Sequence, residues 1–125
     1  MPLDARGERN LNGVHPDLER VVRRAAETGD VDFTVTEGRR STERQKRLVA
    51  AGASRTLNSR HLTGHAVDLA VRVAGKVRWD WPLYARLAEA MKAAAAELDI
   101  PITWGGDWKR FRDGPHFELS REAYP

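Results

Sequence analysis

From Ala66 to Val73 the chain alternates without a break, with Val67, Leu69, Val71 and Val73 on one side and Ala66, Asp68, Ala70 and Arg72 on the other. That period of two predicts a half-buried strand whose odd-numbered face lies in a core. Such a strand needs neighbours at its edges and helices over its apolar face. The rest of the chain supplies both. Val31, Phe33 and Val35 alternate with Asp32, Thr34 and Thr36, a second strand running to Glu37, and Ile100 to Trp104 and His116 to Leu119 read as two short ones. Leu18, Val21, Val22 and Ala25 recur at helical spacing, so Asp17 to Thr28 is a helix stopped by Gly29. The clearest helix runs from Pro82 to Leu98, with proline in its first turn. Another starts at Thr42, with Thr42 as cap and Gln45 in the reciprocal capping-box position, and ends near Gly52.

The first dozen residues read as an irregular lead-in. Asn58 to Thr63, Gly105 to Trp108 and Asp113 to Pro115 read as loop, and Ala74-Gly75-Lys76 as a turn. Strands and helices do not follow a strict β-α-β rhythm. The expected class is therefore α+β, a small, largely antiparallel sheet packed with helices in a single domain over residues 1–125.

The bulk properties narrow the chemistry. With 125 residues, 41% of them apolar, the chain is long enough to bury a core without disulfide support. It has no cysteine, which excludes thiolate zinc sites and cysteine nucleophiles, so any metal must be held by His, Asp or Glu. No stretch approaches the roughly 20 apolar residues of a membrane span. Met1 to Arg9 is charged and lacks an apolar core, so no secretory signal is expected and synthesis in the cytoplasm is. The net charge of +3, from 21 basic and 18 acidic residues, tilts mildly toward anionic partners. The basic residues are scattered among acids, which makes nucleic acid the weakest candidate partner.

Two short segments carry the chemistry: Ser59-Arg60-His61-Leu62-Thr63-Gly64-His65-Ala66-Val67-Asp68, and Asp113-Gly114-Pro115-His116-Phe117. His61, Asp68 and His116 make a set of three zinc donors of the kind that leaves a fourth position to water. Asp68 interrupts an apolar run on the side of the small residues Ala66 and Ala70, where a carboxylate is costly unless paired or bound to a cation. Gly64 allows a sharp turn between His61 and that strand. His65 is the alternative to His61 as ligand, and His15, beside Pro16, reads as a surface or capping residue. Asp113 lies three residues before His116, across a Gly-Pro turn, where a general base would stand beside the metal without coordinating it. Trp104 and Trp108 flank a double glycine and either wall a substrate cleft or belong to the core.

These motifs, with Gly13 to Leu18, Phe33 to Arg40, Gln45, Gly52-Ala53-Ser54 and Trp104 to Trp108, resemble the zinc D-Ala-D-Ala carboxypeptidase and L-alanyl-D-glutamate endopeptidase family, in particular its small phage endolysins. The resemblance implies a Hedgehog/DD-peptidase-like fold, Zn2+ on His61, Asp68 and His116, and Asp113 as catalytic base. It also implies that Arg40 polarises the scissile carbonyl or holds a substrate carboxylate, with Ser54 and Ser59 contacting substrate or bracing the site. Aspartate rather than glutamate at position 113 points to the endopeptidase branch, which cuts the L-Ala–D-Glu bond of peptidoglycan stems. One departure is Ser41 between Arg40 and Thr42, and Ser41 can cap the helix equally well. The expected setting is a monomer made in a bacterial host, without a transmembrane segment, reaching the wall through a holin-type pore. Two other readings stay open: a zinc D-Ala-D-Ala carboxypeptidase on the same scaffold, and a non-catalytic, zinc-stabilised wall-binding module.

Overall fold

The computed structural model describes residues 2–54 and 56–125. The sheet is built around the strand that the alternation marks out. In chain order its strands are β1 (Phe33–Glu37), β2 (Ala66–Val73), β3 (Lys76–Arg78), β4 (Ile102–Trp104) and β5 (His116–Leu119). They lie in the order β1-β2-β5-β4, with β3 also paired to β2, and every pairing is antiparallel. Because Val71 pairs with Phe33 of β1 and with Arg78 of β3, the short β3 and β5 take successive stretches of the β2 edge that faces away from β1.

Helices α1 (Ala5–Asn10), α2 (Pro16–Thr28), α3 (Thr42–Ala50) and α4 (Trp81–Leu98) complete the α+β fold. The imidazole of His15 caps α2 by accepting from the Asp17 amide, and Pro16 opens the helix. Leu18, Val21, Val22 and Ala25 of α2 are buried, as are Leu87, Met91 and Ala94 of α4. These faces join Val67, Leu69 and Val71 of β2, Phe33 and Val35 of β1, and Phe117 and Leu119 of β5 in one core. Tyr84 of α4 is buried with them. Its hydroxyl accepts from the Val71 amide and donates to the Arg78 carbonyl, so the polar end is satisfied.

Four local expectations are corrected. The lead-in contains α1, capped by the Asp4 carboxylate accepting from the Gly7 amide; six residues are too few to show a period. Ser41, not Thr42, caps α3, and Gln45 is buried instead of closing a capping box. The strand after Gly64 runs as expected, but Val73 at its end is 44% exposed, beyond the reach of the helices. The polar loop ends in a 3-10 turn, Arg60–Thr63.

One irregularity matters for the site. Val35 pairs with Leu69, yet Glu37 pairs with Asp68, so the register shifts between Val35 and Glu37. Strict alternation would put Glu37 on the core face with Phe33 and Val35. The bulge turns it to the face that carries Asp68.

Candidate active site

Three donor groups meet on the sheet face opposite the helical core. Asp68 on β2 is directly opposite His116 on β5 in the register, so the two side chains share that face. His61 enters from the 3-10 turn, where the Ser59 hydroxyl accepts from its amide and Gly64 ends the turn with φ of 77°. A Cβ at Gly64 would lie 2.3 Å from the Gly13 carbonyl oxygen, so both the backbone angle and the space demand glycine. The His61 carbonyl accepts from the Arg40 amide at 2.8 Å, which ties the turn to the end of β1.

The two rings are fixed by complementary contacts. His61 Nδ1 lies 2.9 Å from the Gly38 carbonyl, which can only accept, so Nδ1 carries a proton and Nε2 faces the site. His116 Nε2 lies 2.8 Å from the Glu118 carboxylate, so it carries a proton and Nδ1 faces the site. Asp68 Oδ1 sits 3.3 Å from His61 Nε2 and 3.4 Å from His116 Nδ1. It is buried and makes no hydrogen bond of good geometry. One ligand atom from each of the three residues falls within 4.8 Å of the others. An orphaned carboxylate oxygen facing two imidazole nitrogens, each ring anchored from behind, suits a divalent cation.

The electrostatics agree. Burial would raise the Asp68 carboxyl, but the two histidines outweigh it and hold the pKa well below the carboxylate range. Burial works against a charge on His116, yet Asp68 and Glu118 push its pKa up to about 9. The donor set thus favours a cation at its centre, and a metal would compete with that proton. Asp113 is part-buried beside them, its carboxyl raised by burial and then by the negative charge of Asp68.

A cleft of about 610 Å³ opens over these groups. Arg40, Asp113, Ser54, Ser59 and Trp108 all line it. The Arg40 side chain is only 9% exposed. It bonds to Glu37 through Nε, donates to Gln45 Oε1 at 2.8 Å, and lies 3.7 Å from Asp68. The Trp108 ring stands 4.9 Å from that of His116. Trp104 goes to the other side of the sheet. It pairs in register with Phe117, stacks on it in the core, and donates its indole N–H to the Gly114 carbonyl at 2.7 Å. Trp104 is therefore a packing residue and does not line the cleft. His65 turns away to Thr63, His15 and Tyr124, which leaves His61 as the histidine of the donor set.

Three residues play parts at the site that the sequence reading did not assign. Glu37 accepts from Arg40 and Arg44, and only the bulge brings it there. Gln45 links Arg40 to Ser54 from a buried position that a helical wheel does not mark. Glu118 was legible, since it stands two residues beyond His116 on the same strand face.

The fold is DD-peptidase-like. The D,D-dipeptidase VanXYg shares the fold with a TM-score of 0.58 at 20% identity, the match covering 85% of this chain and 50% of that one. Far nearer is the L-Ala D-Glu endopeptidase ChiX of Serratia marcescens, with a TM-score of 0.94 and 53% identity over 100% of this chain and 94% of that one. The L-alanyl-D-glutamate peptidase of Escherichia phage T5 is 35% identical over 121 residues, covering 94% of this chain and 88% of its own length. The peptidoglycan L-alanyl-D-glutamate endopeptidase CwlK of Bacillus subtilis is 29% identical over 122 residues, covering 85% and 73%. The model of the phage L-alanyl-D-glutamate peptidases matches residues 1–120. The chain belongs to that family of peptidases.

Proposed function

We propose that this chain is a zinc-dependent endopeptidase that hydrolyses the L-Ala–D-Glu bond of peptidoglycan stem peptides, with residues 1–125 acting as one catalytic domain. The observation that carries the reading is the unsatisfied Asp68 oxygen held between His61 Nε2 and His116 Nδ1. Two imidazoles and a carboxylate form a three-donor set that suits zinc and leaves a position open. When bound there, zinc supplies Lewis acidity and lowers the pKa of a coordinated water.

The chain's own residues account for the rest. Asp113, whose raised proton affinity suits the task, takes a proton as water attacks the L-Ala carbonyl carbon. It returns that proton to the D-Glu nitrogen as the carbon–nitrogen bond breaks. Arg40 is held by Glu37 and Gln45, so its guanidinium is oriented before substrate arrives and can stabilise the developing oxyanion. Ser59 fixes the turn that carries His61, and Ser54 braces Gln45. Trp108 shields the His116 side of the site from water.

Product analysis of purified muropeptides, with and without a chelator, tests the reading. Release of fragments beginning with D-Glu, abolished by chelator and restored by zinc, is the expected outcome. Loss of a terminal alanine alone would identify a carboxypeptidase instead.

A further inference from the structure

The charges around the cleft are unevenly matched. Among the described residues, five arginines line it: Arg40, Arg44, Arg60, Arg110 and Arg121. Four of them are held by cleft carboxylates. Arg40 and Arg44 share Glu37, and Arg60 and Arg121 flank Glu118. Arg110 makes no ion pair or hydrogen bond among the described residues. It stands on the stretch that leads into Asp113, between Trp108 and Phe111, both of which also line the cleft. Phe111 has φ of 55°, a backbone state rare for an aromatic residue, and the residue is 62% exposed. Here the chain bends so that a cation and an aromatic ring border the site a few residues before the proposed base.

The substrate named above carries the missing anion. In a peptidoglycan stem, D-Glu is joined to the next residue through its side-chain carboxyl, so its α-carboxyl is either free or amidated. That group sits on the carbon bonded to the scissile nitrogen. A stem peptide bound with its L-Ala carbonyl at the donor triad must therefore place the α-carboxyl in this same cleft. The four engaged arginines already share their charge with a protein carboxylate, whereas no described carboxylate offsets that of Arg110. Arg110 need give up only water, and its planar fork of N–H groups fits a carboxylate with two parallel hydrogen bonds.

We propose that Arg110 binds the free α-carboxylate of the D-Glu residue and makes the enzyme distinguish D-Glu stems from amidated, D-isoglutamine stems; this rests on the L-Ala–D-Glu reading. The test compares kcat/KM of the zinc-loaded protein on two synthetic stem peptides that differ only in that carboxylate or carboxamide. Wild type should favour the acid by about tenfold, the scale of one charge-assisted hydrogen-bonded pair. Arg110→Gln should bring the ratio close to one, Arg110→Lys should retain part of it, and added salt should compress it in the wild type. Matching thermal melts and zinc contents show that the variants are folded and loaded. A wild type indifferent to amidation, or an Arg110→Gln variant that still discriminates, overturns the proposal. If zinc-loaded wild type cuts neither peptide at the L-Ala–D-Glu bond, the parent reading itself fails and this inference goes with it.

Discussion

Glu118 offers a sharp test of the metal reading, because it stands behind His116 and is not one of the three donors. The residue is 5% exposed, and its carboxylate accepts from His116 Nε2 at 2.8 Å and faces Arg60 and Arg121 at 3.8 and 3.5 Å. Substitution by glutamine keeps the shape but leaves a single carbonyl oxygen for two sides. If that oxygen serves His116, the amide N–H groups confront two guanidinium ions. If it turns to the arginines, the N–H groups confront His116 Nε2, which favours the ring tautomer protonated at Nδ1, the nitrogen needed as ligand. A hydrogen bond to a charged group contributes about 1.5–3 kcal/mol and a neutral one about 0.5–1.5, so Glu118→Gln should lose roughly 1–1.5 kcal/mol of zinc binding, about tenfold. Glu118→Ala removes the whole contact and should weaken zinc by up to about a hundredfold. Competition against a chromophoric chelator near neutral pH measures both. An alanine variant within twofold of wild type would refute the argument that Glu118 orients His116.

Three further outcomes follow from the same geometry. Asp113→Asn should keep its zinc and lose roughly 10²–10⁴-fold in kcat/KM; full muropeptide cleavage by a zinc-loaded variant would place the base elsewhere. Gly64→Ala meets both a left-handed backbone and the Gly13 carbonyl, so it should cost at least about 2 kcal/mol in urea unfolding; a loss under about 1 kcal/mol would mean that the turn relaxes freely. Burial pushes the Glu37 carboxyl up, but Arg44 and Arg40 outweigh it and hold it below the ordinary 4.5. A depressed carboxylate stabilises the fold above its unfolded value, and that contribution is lost as pH falls. Melting temperature should therefore drop as pH goes below about 4.5, less steeply in Glu37→Gln; identical slopes would remove Glu37 from the account.

Much of the site was legible because its residues sit in short local patterns. The Asp68 carboxylate stood out against the apolar run around it, and Gly64 marked the turn that carries His61. The tryptophans were not legible in the same way. A strand of three residues, Ile102–Trp104, does not reveal which face is inward, and only pairing with Phe117 puts Trp104 in the core. Helix α1 was missed for a similar reason, since its stability comes from packing on β1 and not from a pattern of its own.

By itself the sequence determined the longer elements and the kinds of donor atoms, because hydrophobic period, turn glycines and the lack of cysteine are local or compositional properties. Tertiary structure alone decided which donors converge and in what state. Asp68 meets His116 through cross-strand register, Glu37 reaches Arg40 because a bulge reverses its face, and each imidazole takes its tautomer from a partner on another segment or strand position. Cross-strand register and the approach of a distant carbonyl arise between segments, and no short window along the chain contains both sides of the Asp68–His116 or His61–Gly38 contact.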